Sequence, residues 1–321
     1  MMRKLLNHVY EAIGETPMVR LDRITKIYGV EGAIFAKLEY LNPGFSKKDR
    51  PALQMITEAE ASGTLKPGQT VVELTSGNTG TGLSIVCRAK GYPFVACMSE
   101  GNSPERARMM RALGAEVFII KQSHGESAGE VSGDDLAKVE EAAQQLTKER
   151  NAFRADQFCL EGSVNAHLLY TAEEMWEQSD GEIDAFVDIL GSGGTFVGTA
   201  RGLKKHNPNI RCYAIEPEAA AKYAGLPVKN HGAHKVQGCG YNMTLPKMDE
   251  SLVEEFIQVS DGEVAECTRN LALHEGAFVG FSSGANVIAA IKLLQGRERG
   301  NNIALTLNDS GLKYLSTDLF Q

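Results

Sequence analysis

The stretch "NPGFSKKDR" (42–50) sets two adjacent lysines behind a turn and ahead of an acid–base pair. Asn-Pro-Gly is turn chemistry, and the apolar spacing of "PALQMITEAEASG" (51–63) predicts a helix immediately after it. On that reading only one of Lys47 and Lys48 can face inward. A lysine at the positive end of a helix, in a partly dry pocket, gives up its proton more readily, and a neutral amine is what Schiff-base chemistry requires. Solvated lysines are commoner, so the pair gains meaning only from its company. Two loops supply it. "TSGNTG" (75–80) follows the apolar "VVEL" and opens a helical pattern. Its Thr75, Ser76, Asn78 and Thr79 stand where backbone N–H groups and the helix dipole favour a carboxylate or phosphate. A plain helix cap at Asn78 or Thr79 would use the same residues. "GSGGTFVG" (191–198) follows "AFVDIL", and Gly191, Gly193 and Gly194, with the hydroxyls of Ser192 and Thr195, let backbone approach a phosphate closely. No Gly-Lys-Ser/Thr follows, so it is not a nucleotide P-loop. Phe196 stands where the dinucleotide fingerprint needs its last glycine. A phosphate cradle, an anion loop and one amine describe pyridoxal phosphate rather than NAD or ATP.

Strands and helices in alternation must position these groups. Apolar runs at 33–40, 70–74, 94–98, 116–120, 185–190, 211–217 and 302–307 alternate with helical patterns at 51–63, 81–91, 104–114, 134–150, 166–178 and 284–295. Near-continuous apolar strands between amphipathic helices indicate parallel sheets covered on both faces, and there are enough units for two sheets. The segment 121–134, rich in Gly, Ser and acid, reads as an exposed loop.

Bulk properties narrow the partners. The chain has 321 residues, 23% charged and 43% hydrophobic, with a formal net charge of −8. That length accommodates two domains, and the acidic balance disfavours nucleic acid. No apolar run reaches the roughly 18 residues of a spanning helix. The N-terminal "MMRKLLNHVYEAIGE" has no secretory h-region. Six cysteines without a CxxC pair read as reduced thiols, mostly buried. The expectation is a cytoplasmic protein without a metal site.

"NPGFSKKDR", "TSGNTG", "DQF" (156–158), "GSGGT", "EP" (216–217), "HKVQGCG" (234–240), "EGAFVGFSSGA" (275–285) and "DSGLKYLST" (309–317) occur in one order along nearly the whole chain. In this the sequence resembles the fold type II pyridoxal-phosphate enzymes, in the branch of cysteine synthase (O-acetylserine sulfhydrylase) and cystathionine β-synthase. The resemblance implies two three-layer α/β domains with mostly parallel sheets, as in the tryptophan synthase β-subunit. Residues 1–19 and 42–160 would form a smaller mobile domain; 20–41 and 161–321 would form a larger one holding the cofactor phosphate. It makes Lys48 the catalytic Schiff-base lysine and leaves Lys47 variable and solvated. Asn78 would bond the cofactor's 3′ oxygen, Gly191, Ser192, Gly193, Gly194 and Thr195 its phosphate, and Ser310 its pyridine nitrogen. Thr75, Ser76, Thr79 and Gln157 would hold the substrate carboxylate, with Gly238 bordering the substrate. A neutral serine at the pyridine makes a weaker electron sink than an aspartate, which suits loss of a β-leaving group. The implied reaction is ping-pong β-replacement through an α-aminoacrylate, with Lys48 as general base, joining an activated serine to sulfide or a thiol. The implied alternatives are β-elimination and cystathionine β-synthase-like chemistry. A homodimer and a serine acetyltransferase partner follow by the same analogy.

The chain departs from the sulfhydrylase pattern at the entrance. Lys47 stands where an apolar residue is usual, Thr81 where an aliphatic one is, and "GCGYNM" (238–243) replaces a glycine-rich aliphatic loop. In that loop Cys239 and Tyr241 read either as a small filler and a surface aromatic, or as the selector of the second substrate.

Overall fold

The computed structural model of the chain describes residues 5–122 and 132–321. Most of the loop expected at 121–134 falls on residues 123–131, outside that description.

Among the described residues ten strands form two sheets. The larger runs in the order β1 (Met18–Arg20), β2 (Ala33–Lys37), β10 (Asn302–Thr306), β7 (Ala185–Ile189), β8 (Arg211–Pro217), β9 (Glu255–Val259). All its pairings are parallel except the antiparallel edge strand β1. The smaller is fully parallel, in the order β5 (Glu116–Ile120), β4 (Phe94–Ser99), β3 (Val71–Leu74), β6 (Phe153–Arg154). Central strands such as β2, β3 and β7 are buried along their whole length, which is why their sequences show no polar alternation. Met18 and Val19, expected in the smaller domain, pair with Lys37 and Ala36 of the larger sheet.

Parallel strands need crossover helices. Those that matter for the site are α2 (Asp49–Ser62), α3 (Asn78–Lys90), α8 (Gly194–His206) and α10 (Phe281–Leu294). α3 and α8 begin within the two glycine loops, at the carboxyl ends of β3 and β7, where open α/β sheets bind ligands. Between β6 and β7 a continuous helical stretch runs from Gly162 to Gln178, with a π turn at His167–Thr171. Sequence periodicity misses β1, β6 and β9. β6 has two residues and β9 is half exposed, too short or too mixed to show an apolar run.

The start of α2 is anchored by a buried ion cluster. Arg50 clasps Glu39 with two bonds of 2.8 Å and reaches both Glu174 oxygens at 2.7 Å. Lys37 pairs with Glu174 at 2.7 Å. Two residues from Lys48, this cluster ties the lysine-bearing turn to the end of β2 and to the helix at 172–178.

Candidate active site

Lys47 and Lys48 lie in the turn before α2, not inside it. Ser46 bridges to Asp309 and the Lys47 N–H donates to the Asn308 carbonyl at 2.8 Å. Side chains in a turn are not bound to helical spacing, and both lysines face inward. This corrects the expectation of a solvated Lys47. Its ammonium is buried and meets both oxygens of Asp188, on β7, at 2.8 and 2.9 Å. Lys48 donates to Ser192 Oγ at 3.1 Å. Burial, followed by the neighbouring Lys47 charge, lowers the Lys48 amine to about 8.

Lys48 projects into a cavity lined also by Ser76, Asn78, Thr79, Gln157, Ser192, Gly238, Tyr241, Ser282 and Asn308. An adjoining crevice reaches Gly191, Ser192, Gly193 and Thr195. The glycine loop is built for close approach. Gly193 has φ +83°, and a Cβ on Gly194 would lie 2.5 Å from the Ser163 carbonyl. The N–H groups in the first turn of α8 have no partner within the helix. Beneath the loop Thr195 Oγ1 lies 3.2 Å from His167 Nε2. Burial, then the charges of Lys47, Arg50 and Lys48, hold that imidazole well below its ordinary pKa, so it is neutral.

On the opposite wall Thr79 donates to Gln157 at 2.8 Å, beside Ser76. Thr75 is turned away from the cavity. Its hydroxyl accepts from the Gly77 and Gly80 N–H groups, both at 2.9 Å, and so shapes the loop. Asn78 is held at both ends: Lys313 donates to its Oδ1 and its Nδ2 donates to Asp309, each at 2.8 Å. Nδ2 keeps a second hydrogen for another acceptor.

Ser310 is placed differently from its expected role. It does not line the cavity; its hydroxyl accepts from the Leu312 N–H and caps the short turn Gly311–Tyr314. Ser282, at the start of α10, does line the cavity. Asn308 was also missed by the sequence reading. It lines the cavity, and its buried Nδ2 has no partner. The visible signal for Ser282 was "SSGA" opening an apolar helix, small and hydroxyl residues at a helix start as in the other two loops.

Tyr241 is no surface aromatic. It packs edge-on against Phe158, with centroids 6.2 Å apart, and lines both the Lys48 cavity and a larger one of about 470 Å³. That larger cavity is bounded by residues including Leu136, Asp156, Cys159 and Met243. Cys239 is buried, as the filler reading expects. All six cysteines are free, with Cys159 alone exposed. Among the described residues no cluster could hold a metal, and no helix is long and apolar enough to cross a membrane.

A reactive amine with a neutral partner, a glycine loop opening a helix and an unpartnered buried amide donor fit pyridoxal phosphate. Comparison with known proteins agrees. The model of the pyridoxal-phosphate dependent enzyme family matches residues 9–309. Cysteine synthase of Staphylococcus aureus is 37% identical over 321 residues, covering 100% of this chain and 99% of that protein. Cysteine synthase 3 of Caenorhabditis elegans is 38% identical over 97% of this chain and 88% of its own length. The crystal structure of O-acetylserine sulfhydrylase isoform 3 from Entamoeba histolytica superposes with a TM-score of 0.89 at 32% identity, over 99% of this chain and 92% of that one. The chain belongs to the pyridoxal-phosphate dependent enzyme family, with its fold type II architecture.

Proposed function

We propose that this enzyme makes L-cysteine by β-replacement, exchanging the acetate of an O-acetylserine-like substrate for sulfide. The observation that carries the reading is the placement of the Lys48 amine between the glycine loop and the hydroxyl–amide wall of Ser76, Thr79 and Gln157. That wall holds the substrate carboxylate, which fixes the α-carbon beside Lys48 Nζ. Lys48 then takes the α-proton as general base, and acetate leaves from the β-carbon. Sulfide adds there, and Lys48 returns the proton to Cα. Pyridoxal phosphate, when bound, supplies the electron sink for these proton and leaving-group departures. Gly191 to Thr195 would hold its phosphate, Asn78 and Asn308 would offer amide donors to its ring oxygen, and Ser282 would offer a hydroxyl to its ring nitrogen. The identity of the relatives, all along the chain, supports the same reaction. The test is purified holoenzyme with O-acetylserine, O-phosphoserine, serine or cysteine, each with and without sulfide. Cysteine formed fastest from O-acetylserine and sulfide is the expected result; sulfide release from cysteine as the dominant rate would reject it.

Ser282 replaces Ser310 in this reading, and the two are separable. Ser282→Ala should lower turnover at least about tenfold, the loss expected from one buried hydrogen bond of roughly 1.4 kcal/mol, and shift the cofactor's absorbance. Ser310→Ala should change neither. The opposite pattern in the two spectra would return the role to Ser310.

A second reading, a cystathionine β-synthase-like use of a larger thiol, is favoured by the cavity beyond Tyr241. Homocysteine competing with sulfide as second substrate would support it; strict preference for sulfide would not. The motion proposed for the enzyme is closure of the smaller sheet and its helices over the site, supported by the separation of the chain into two sheets. A cytoplasmic homodimer that docks a serine acetyltransferase is the family-like assembly. Elution at the mass of a single chain would dismiss the dimer.

A further inference from the structure

Two lysine side chains converge on the carboxyl end of β7 and the loop behind it. Lys47 takes Asp188, and Lys48 takes Ser192 four residues later. Among the described residues lining the two adjoining cavities, Asp188 is the sole carboxylate. It is fixed there by more than Lys47. Asn286 Nδ2 donates to it at 3.0 Å and also to the Thr306 carbonyl at 2.9 Å, while Asn286 Oδ1 accepts from the Ile189 N–H at 2.9 Å. Thr306 Oγ1 lies 3.0 Å from the same carboxylate oxygen. A buried ion pair is costly unless hydrogen bonds complete it, and here they do.

We propose that Lys47 is a positioning residue that withholds Asp188 from Lys48, leaving the Schiff-base lysine with only a neutral hydroxyl partner so that its amine is free to react. Deprived of Lys47, Asp188 would be free to pair with Lys48, whose amine its charge already reaches, and a carboxylate paired with Lys48 would hold that amine protonated. Burial first and the Lys47 charge second lower the Lys48 pKa, while the Asp188 charge acts in the opposite direction.

The other titratable groups around Lys48 do not compete for this role. Burial keeps the Cys239 thiol, from the entrance loop, neutral by raising its pKa to about 12. The His167 ring, from the π turn, is neutral for the same reason. Glu73, from β3, is taken by Arg154 at 2.9 Å. Asp309 is bonded to Asn78 and to the Tyr314 hydroxyl.

The inference rests on Lys48 being the lysine that attaches the cofactor, and the test separates the two claims. In the attachment, the Lys48 lone pair adds to the aldehyde carbon of pyridoxal phosphate, water leaves, and a C=N bond replaces C=O. Only the neutral amine does this, so the rate of attachment to apoenzyme, followed by absorbance against pH, reports its protonation directly. Wild type and Lys47→Arg should share one midpoint. Lys47→Met should move it up by about 1–3 pH units, the usual effect of a nearby opposite charge. Asp188→Asn should move it down, and the double variant Lys47→Met/Asp188→Asn should return towards wild type. A merely structural pair predicts no such opposed shifts. An unchanged midpoint in folded Lys47→Met, or a double variant as displaced as the single, overturns the inference. If Lys47→Met does not fold, a raised or unchanged midpoint in Asp188→Asn does so. Attachment that persists in Lys48→Ala would instead remove the premise.

Discussion

Lys48→Ala should lose the visible absorbance of the lysine-bound cofactor and at least about 10³-fold in turnover, within the range of a deleted general base before the lost anchor is counted. Lys48 is the amine whose side chain meets Ser192 in the glycine loop, within the cavity that contains Ser76, Thr79 and Gln157. No other described lysine lining that cavity is available: Lys47 spends two hydrogen bonds on Asp188. Borohydride reduction followed by peptide mapping checks the assignment. The adduct should map to Lys48 in wild type and in Lys47→Met brought to high pH, and be absent from Lys48→Ala. A stoichiometric adduct in the Lys48 variant would place the cofactor on another amine, and the chemistry proposed here would lose its base.

The second large effect is on stability. Arg50→Ala should destabilise the fold by about 3–5 kcal/mol, the usual cost of removing one partner from a buried ion cluster. Glu39 is wholly buried and Arg50 nearly so. The loss leaves two carboxylates facing Lys37 alone. Burial by itself would raise the Glu174 carboxyl, but its bonds to Arg50 and Lys37 outweigh that and lower it from 4.5 to about 2. A depressed folded-state value means stability that is present above the ordinary carboxylate range and lost as pH falls from about 4.5 towards 2. Wild type should therefore weaken through that window in denaturant titrations, and Arg50→Ala should show a shallower dependence there. A loss under about 1 kcal/mol would mean that the cluster is dispensable. Because Arg50 follows Lys48 by two residues, the variant should also loosen the turn that aims the lysine.

Much of this was legible without coordinates. β7 and β10 carry near-continuous apolar runs, interrupted in β7 by Asp188, because both faces of a parallel sheet are covered, and helices must then alternate with them. The loops at 75–80 and 191–195 announced themselves by glycine and hydroxyl at strand–helix junctions, since anion binding by backbone demands small residues there. α9 (Asp261–Asn270) was announced just as clearly by its capping box of Ser260 and Glu263 and went unread, because its strand neighbour β9 is half exposed and shows no apolar run.

What sequence by itself determined, then, was the local grammar: which segments pair or coil, and which junctions can cradle an anion. Tertiary structure alone decided which polar side chains meet. Ser282 rather than Ser310 faces the cavity because a short cap turns one hydroxyl back onto its own backbone while a helix start presents the other. Lys47 is buried because Asp188, 141 residues away in the chain, waits at the end of β7 with Asn286 and Thr306 to complete it. Local spacing constrains the direction of a side chain within a helix, but Lys47 and Lys48 stand in a turn. There the inward or outward choice follows from the charge and hydrogen bonds of distant partners, which a linear pattern does not contain.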